Sequence, residues 1–518
     1  MRKCDGLDVM IGQMLFFGFS GSETGRDFSQ RYQQIPSGGV ILFRRNLQNP
    51  EQIKKLTENL QELAQVFDPD RPLLIAVDQE NGNLSPLRGL IPSLPGNMGL
   101  AATGDPHAAY WAGYITGKEL INLGINLNLA PVLDLAAQYN PAVGPRAFGD
   151  QPELVARYGV ELARGLRAGG ALFMGKHCPG HGNCNEDSHY LLPICRQKRA
   201  VLIARDLAPF RAVAAVNGAS LMMAHVKYPD WDQANPASLS AEIIGFLRRE
   251  LNFQGVIMTD CLEMDAIQQQ VPLPAAAVAA VQAGNDLILI SHSPQHQTAA
   301  FQAIREAVKE GRIKIRRIEE SVARIRKWKD LLGKGFKKSE AEIAPEIGRW
   351  SPGQLALKTI TLHAPHKAWP FSRAPLSLIT PELHQITPSE NLEGVELFEG
   401  EIRSRGITCR RIECRQNPSD EEISRFISEN RCLLGDDRVA FLLSNPVNSS
   451  GQIKLIQRLA KTNPVLLISI RDPREVMLLG MDLPAVFTYC AEPPVLKALA
   501  AVLAGDVVPE GKLPILKA

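Results

Sequence analysis

Seven apolar, strand-like runs recur through the first 290 residues of this chain of 518, and they constrain its fold more than any other feature. Helix-period stretches separate them, among them 49–65, 153–170 and 240–252, the last with Ser240 at its N-cap position. The runs are 38–43, 72–77, 125–135, 171–177, 219–225, 255–260 and 286–290. Because continuous apolar strands between helices are buried on both faces, we predict an α/β fold with parallel strands, in a (β/α)₈ TIM-like barrel. An open doubly wound sheet is the competing fold.

The pattern changes after residue 310. Apolar residues at 318, 322, 325 and 332 share one helical face among basic residues, which predicts a solvated helix that closes the first unit. The stretch 334–353 is polar and rich in Lys and Glu, as linkers are. Strand-like runs then return at 355–364, 375–380, 439–445, 464–470 and 484–489. We therefore predict a barrel domain over 1–333, a linker over 334–353 and a second α/β domain over 354–518.

Composition and charge exclude several classes of protein. The 57 basic and 55 acidic side chains give a net charge of +2, too little to attract nucleic acid, so a small substrate is the expected partner. No stretch reaches the roughly 18 apolar residues of a membrane span, and the N-terminus does not resemble a signal peptide. The nine cysteines are odd in number and scattered, which favours reduced thiols and a cytoplasmic location.

Polar residues stand where several predicted strands end. Asp78 follows the second run, Lys176 and His177 end the fourth, His225 ends the fifth and Asp260 ends the sixth. An Asp after a strand also serves as a turn former or helix N-cap. Because barrel active sites form at the carboxyl ends of the strands, four such ends together predict one shared site.

The stretch GKHCPGHGNCNEDSH, residues 175–189, has two chemical readings. A zinc site would use His177, Cys178, His181 and Cys184. Those ligands would crowd one short loop with no second cluster elsewhere, so we expect no metal. In the other reading Asp187 and His189, two apart in an extended loop, project to one side, and the carboxylate orients the imidazole and favours its protonated form. That pair suits a general acid that later acts as a base.

The same stretch resembles the K-H-F-P-G-H-G-x(n)-D-S-H signature of family 3 glycoside hydrolases, in the branch of β-N-acetylglucosaminidases that includes peptidoglycan-recycling enzymes. Further segments resemble that family in the same order: AVDQENG, NLAPVLD, VGPRAFGDQPELV, MMAHVKYP and GVIMTDCLEMDAI. The ending FTYCAEPPVLKALAAVLAGDVVPEGKLPI is similar to the family's C-terminal α/β sandwich domain. The resemblance covers nearly the whole chain.

The resemblance implies roles for individual residues. Asp260 would be the nucleophile, and His189, held by Asp187, the acid/base. The implied substrate-binding residues are Asp78, Arg146, Lys176 and His177, and we group His225 with them. The implied reaction removes terminal β-linked N-acetylglucosamine with retention, from cell-wall muropeptide fragments, without metal or organic cofactor.

Four alternatives stay open, and one of them is a zinc hydrolase that uses the four ligands of the loop, which metal analysis of the purified protein would test. A β-glucosidase would share the fold, since an acetamido pocket cannot be read from one sequence. A phosphorylase would too, because a histidine acid/base does not repel phosphate as a carboxylate would. A sugar-sensing protein without catalysis is the fourth, although the complete Asp187, His189 and Asp260 set argues against it.

Four positions depart from the family pattern. Asn81 and Asn83 replace a glycine and a common arginine, and Cys178 and Cys261 replace a phenylalanine and a frequent aspartate. We expect these positions to line the sugar pocket, which makes the reaction type more secure than the substrate. The two cysteines would either confer sensitivity to thiol reagents or serve as small apolar packing residues.

Overall fold

The computed structural model describes residues 6–140, 142–184, 191–332, 349–364, 371–382, 394–430 and 437–516, without the side chains of 394 and 396. Strands of the first 290 residues form two parallel sheets, in the orders β11-β1-β2-β3-β4-β5 and β10-β7-β6, while β8 and β9 make an antiparallel hairpin. These strands are β1 (Leu15–Phe17), β2 (Gly39–Leu42), β3 (Leu74–Val77), β4 (Leu127–Asn128), β5 (Leu172–Phe173), β6 (Gly175–Cys178), β7 (Ser220–Met223), β8 (Lys227–Tyr228), β9 (Asp232–Pro236), β10 (Val256–Thr259) and β11 (Ile288–Ile290). The predicted α/β class with parallel sheets is confirmed.

Helices connect these strands. They are α1 (Gly6–Gln13), α2 (Arg26–Gln34), α3 (Pro50–Gln65), α4 (Asn97–Ala102), α5 (His107–Asn122), α6 (Pro152–Ala168), α7 (Arg199–Val201), α8 (Ala208–Ala214), α9 (Ala241–Arg249), α10 (Asp265–Gln268), α11 (Leu273–Ala283), α12 (Pro294–Lys309) and α13 (Ile315–Lys329). The Ser240 hydroxyl accepts from the Ile243 amide and caps α9, as predicted. Helix α13 buries Ile318, Val322 and Ile325, the predicted apolar face.

Among the described residues the two N-terminal sheets are not joined into one continuous ladder. Parallel bridges nevertheless pair Met258 of β10 with Leu287, just before β11, and Lys176 of β6 with Val132, after β4. The parallel alternation of strand and helix is therefore observed, and closure into a barrel stays a prediction.

The strands of the two parallel sheets are buried on both faces, as the apolar runs predicted. Along β3, Leu74 and Ala76 belong to one apolar cluster, whereas Ile75 and Val77 pack in another that contains residues of α3. This division explains why these strands show no alternation of polar and apolar residues.

The C-terminal unit is a mixed six-stranded sheet in the order β12-β17-β16-β15-β13-β14, parallel except for β12. Its strands are β12 (Thr361–His363), β13 (Leu376–Pro381), β14 (Cys409–Cys414), β15 (Arg438–Leu442), β16 (Val465–Ser469) and β17 (Ala485–Phe487). Its helices are α14 (Pro352–Thr359), α15 (Gly394–Ser404), α16 (Asp420–Glu429), α17 (Ser450–Leu459), α18 (Arg474–Met477) and α19 (Pro493–Leu503). Apolar clusters on both faces of the sheet include helix residues, so it is a layered α/β unit.

Two sequence expectations need correction. Strands β1, β8, β9 and β14 were not predicted. Strands β1 and β8 have too few residues to show a period, and β9 and β14 are rich in polar residues, several of them exposed. The first half of the run 355–364 belongs to helix α14, which begins at Pro352, and only residues 361–363 form a strand. Most of the predicted linker lies outside the described residues, so the domain bounds stay predictions. In the described part of the chain, no helix is long and apolar enough to cross a membrane.

Candidate active site

One pocket collects five of the predicted site residues at the carboxyl ends of the N-terminal strands. Its lining includes Asp78, Arg146, Lys176, His177 and Asp260. Asp78 follows β3, Lys176 and His177 lie in β6, and Asp260 follows β10. The expectation that polar strand ends meet at one edge is thus met for these residues.

A buried array of two cations and two carboxylates forms one wall. The Lys176 ammonium Nζ lies 2.7 Å from Asp78 Oδ1 and 2.6 Å from Glu80 Oε1. The Arg146 guanidinium donates from Nε to Glu80 Oε2 and from Nη2 to Glu80 Oε1, both at 2.8 Å. Glu80 therefore joins both cations, in a bidentate geometry that fixes the guanidinium plane. Sequence reasoning missed Glu80, although it stands two residues after Asp78 at the same strand end.

The charged groups in this array shift the pKa values of their partners so that Glu80, Lys176 and Arg146 stay ionised. Burial alone would raise the pKa of Glu80, but Arg146 and Lys176 hold it down to about 2. Burial would likewise lower the pKa of Lys176, but Asp78 and Glu80 raise it. Glu80 outweighs the effect of burial on Arg146 as well and raises its pKa. All three groups are therefore ionised at neutral pH, and the wall offers charged donors to a ligand.

Asp134 binds the two histidines that line the pocket, His177 and His181. Its Oδ2 lies 2.7 Å from His177 Nδ1, and its Oδ1 accepts from the His181 amide at 2.7 Å. The carboxylate is fully buried; burial would raise its pKa, but the contact with His177 lowers it. Since Nδ1 binds Asp134, Nε2 is the ring nitrogen that His177 can offer to the pocket. Sequence reasoning missed Asp134 as well, although it stands next to the last residue of the apolar run 125–135.

Asp260 is held by the backbone around it. Its amide donates to Met223 O at 3.2 Å, and its Oδ1 accepts from the Cys261 amide at 2.7 Å. The residue is half-buried and lines the same pocket as the charged wall. Asp260 and the charged wall therefore line one pocket.

His225 lies behind the pocket and is not among the described residues that line it. Its Nδ1 contacts Ser238 Oγ at 2.7 Å, and its Nε2 contacts Cys261 O at 2.9 Å. Burial lowers its pKa, so the ring is neutral at pH 7. With both nitrogens engaged, it supports the backbone that follows Asp260, and its predicted contact with substrate stays a prediction.

The proposed acid/base pair, Asp187 and His189, lies outside the described residues. The preceding residues are described: His181 lines the pocket, and Cys184 O accepts from Asn140 Nδ2 at 2.7 Å. The described residues just before the pair therefore contribute His181 to the pocket lining.

The residues that depart from the family pattern are not among the described residues that line the pocket. Asn81 has a φ of +66°, a conformation that asparagine tolerates better than most residues, which explains why it can replace glycine. Asn83 bridges to the C-terminal unit, where its Nδ2 donates to Ile470 O and its Oδ1 accepts from the Ala491 amide. Cys178 and Cys261 are buried, and burial raises both thiol pKa values, that of Cys261 to about 12. The expectation that these four line the pocket was wrong; they pack around it.

No group of three His, Cys, Asp or Glu side chains is placed to hold a metal ion within the ranges that the structure covers. The zinc reading of the loop therefore finds no support among the four ligands it needed, all of which are described.

Comparisons with known proteins agree with this geometry. Residues 6–328 match the glycosyl hydrolase family 3 N terminal domain. A β-hexosaminidase of Alkalilimnicola ehrlichii is 39% identical over 272 residues, which span 51% of this chain and 76% of that protein. A family 3 β-N-acetylglucosaminidase from Paenibacillus sp. is 34% identical, with a TM-score of 0.89 and 98% of each chain covered.

A β-glucoside phosphorylase bound to 2FGlc shares the fold, with a TM-score of 0.80 at 22% identity over 99% of this chain and 94% of that one. The family match covers more than half of the chain and includes every predicted site residue. The chain therefore belongs to glycosyl hydrolase family 3 and is a glycoside hydrolase.

Proposed function

We propose that this enzyme is a retaining exo-β-N-acetylglucosaminidase that removes terminal β-linked N-acetylglucosamine, with peptidoglycan or muropeptide fragments as its substrate class. One observation carries the proposal: Asp260 lines the same pocket as the charged wall of Asp78, Lys176 and Arg146. The choice of N-acetylglucosamine draws on the two similar enzymes named β-hexosaminidase and β-N-acetylglucosaminidase.

The charged wall is suited to recognise sugar hydroxyls. Asp78 has a side chain 28% exposed and can accept from a hydroxyl, while Lys176, Arg146 and His177 can donate. Because Glu80 and Asp134 fix these groups before substrate arrives, little side-chain freedom is lost on binding. His225 would act through the backbone beside Asp260.

The chemistry proceeds in two displacements. The Asp260 carboxylate attacks the anomeric carbon while the bond to the leaving oxygen breaks, and His189, oriented by Asp187, gives that oxygen its proton. Neutral His189 then takes a proton from water, the water oxygen attacks the same carbon, and the ester to Asp260 breaks. Two inversions give net retention. The roles of Asp187 and His189 rest on the family resemblance.

The proposal also includes three expectations about the fold, the domain bounds and the cellular location. The two N-terminal sheets close into a (β/α)₈ barrel, which the Met258–Leu287 and Val132–Lys176 bridges support. The barrel domain ends by residue 333 and the C-terminal α/β domain begins at 354. The enzyme works in the cytoplasm without metal or organic cofactor, consistent with free thiols at the seven described cysteines.

The test compares an aryl β-N-acetylglucosaminide with the matching aryl β-glucoside, in EDTA, with and without phosphate. We expect EDTA-resistant turnover that prefers the acetamido substrate and does not depend on phosphate. NMR of the first product should show the β-anomer. Asp260→Asn should abolish turnover, while Asp265→Asn, at an exposed carboxylate five residues on, should retain it.

Each other outcome points to an alternative. Turnover that needs phosphate and yields a sugar phosphate would identify a phosphorylase, and preference for the glucoside would identify a β-glucosidase. Binding without turnover of either substrate would favour the sugar-sensing protein. An active Asp260→Asn variant would refute the nucleophile.

A further inference from the structure

The C-terminal unit contacts the stretch of chain that carries Arg146. We call residues 136–140 and 142–146 the pocket segment. Its Ala136 and Val143 belong to one apolar cluster with residues of the C-terminal sheet, among them Phe441. The pocket segment is therefore packed between the active-site pocket on one side and the C-terminal sheet on the other.

Two polar side chains make contacts across this boundary: Tyr139 of the pocket segment donates to Asn445 Oδ1 at 3.3 Å, and Arg474 of the C-terminal unit makes the buried contact. Its side chain is 1% exposed, and its Nη2 donates to Ala136 O of the pocket segment. Its Nη1 lies 3.4 Å from both carboxylate oxygens of Asp472, and its backbone amide donates to Asp472 Oδ1 at 2.9 Å. The Asp472 carboxylate in turn lies 3.8 Å from the point where a Cβ on Gly144 would stand. The ion pair thus contacts the pocket segment at Ala136, and its Asp472 carboxylate lies near Gly144.

The pocket segment also contacts the active site, through Arg146 and Asn140. Arg146 binds Glu80 through two hydrogen bonds. Asn140, 1% exposed, accepts from the amides of Ala142 and Val143 and donates to Cys184 O at 2.7 Å. Its single amide group therefore ties the turn before Arg146 to the chain that leads towards residues 185–190.

A buried ion pair is poor support for a stabilising role, since replacing one by apolar groups is often neutral or favourable. The Arg474–Asp472 pair stands at the carboxyl edge of the C-terminal sheet, after β16, where the apolar cluster already joins the two units. The Arg474 guanidinium adds a directed hydrogen bond to the Ala136 carbonyl, and such a bond fixes the position of the pocket segment.

We propose that Arg474 is a positioning residue of the active site, which acts from the C-terminal unit through the pocket segment on Arg146. The proposal rests on the function proposed above, in which Arg146 binds the substrate sugar. The proposal also assigns a role to the C-terminal unit, which holds Arg146 of the charged wall in the position that binds the sugar.

The kinetic test uses Arg474→Met and Arg474→Lys, each alone and combined with Arg146→Lys. Arg474→Met should lower kcat/KM for the aryl β-N-acetylglucosaminide about tenfold or more, mainly by raising KM, because small misplacements of binding groups are costly. Arg474→Lys, which keeps the charge, should lose less. In the Arg146→Lys background the Arg474 substitutions should add little, since both act through one contact.

Arg438→Met is the matched control. Arg438 is also a buried arginine of the C-terminal sheet, and its Nη2 donates to Ala374 O at the opposite, amino edge. Its substitution should lower the melting temperature while leaving kcat/KM within about twofold, as expected for a change far from the site. An equal loss of kcat/KM in Arg438→Met and Arg474→Met would overturn the proposal, as would fully multiplicative losses with Arg146→Lys.

Hydrogen exchange gives a readout that does not depend on turnover. Amides of the pocket segment should exchange faster in both Arg474 variants than in wild type. In Arg438→Met their exchange rates should equal those of wild type. Unchanged exchange in Arg474→Lys and Arg474→Met would overturn the positioning role even if activity fell. If the wild-type enzyme hydrolyses neither aryl substrate, the proposed function fails, while faster exchange confined to the pocket segment would still support the role of Arg474.

Discussion

The substitution Glu80→Gln removes the buried carboxylate that binds both Arg146 and Lys176, and we expect it to lower the free energy of unfolding substantially. The pKa of Glu80 falls from its usual 4.5 to about 2 in the folded chain. At about 1.4 kcal/mol per unit, this shift of about 2.5 units corresponds to about 3 kcal/mol at pH 7. The figure agrees with the cost of breaking a buried ion pair by removing one partner, about 3–5 kcal/mol.

The difference between wild type and Glu80→Gln should depend on pH in a defined direction. A carboxylate with a depressed pKa contributes its full stability above the unfolded pKa of 4.5 and loses it as the pH falls towards about 2. At pH 3.5 about 2 kcal/mol should remain. Urea unfolding followed by tryptophan fluorescence, at pH 7 and pH 3.5, measures both values.

Glu310→Gln is the control, because Glu310 pairs with Arg312 at the surface, where both side chains are about half exposed. Its effect should stay within about 0.5 kcal/mol at both pH values. A loss below about 1 kcal/mol for Glu80→Gln, or a loss equal at pH 7 and pH 3.5, would refute the ionised array.

Three further predictions follow from the contacts around the pocket. Asp134→Asn should lower kcat/KM about tenfold or more, because an amide oxygen binds the His177 ring less strongly than a carboxylate does; steady-state kinetics against Asp265→Asn would show it. His225→Phe should destabilise the fold by about 1–3 kcal/mol, measured by urea unfolding, because Ser238 Oγ and Cys261 O lose their buried partner. Iodoacetamide at pH 7.5 should leave turnover unchanged and label Cys261 only after unfolding, as peptide mass spectrometry would reveal, since burial raises its thiol pKa to about 12.

Local pattern was sufficient for much of the fold. Each of the seven apolar runs contains a strand, because burial on both faces leaves a continuous apolar stretch that is visible without a partner. Helix α9 begins where Ser240 predicted it, since an N-cap hydrogen bond spans only three residues. Asp78, Lys176, His177 and Asp260 meet at one pocket because parallel strands place their carboxyl ends on one edge.

The local sequence pattern failed to predict short strands and pairs of residues that lie far apart along the chain. The strand β1 has three residues, too few for a period, and the run 355–364 changes from helix to strand within itself. Glu80 and Asp134 stand among the motifs quoted for the family, but nothing beside them in sequence identifies their partners. Arg146 lies 66 residues from Glu80 and His177 lies 43 from Asp134.

The amino-acid sequence by itself determined the α/β class, most of the parallel strands, the family and the strand ends that bear the polar groups, because all of these depend on neighbours along the chain. Only the tertiary structure decided which charges pair, how far the pKa of Glu80 falls, and that Arg474, 338 residues from Ala136, contacts the pocket segment. Those properties depend on burial and on distances between residues that the folded backbone alone brings together.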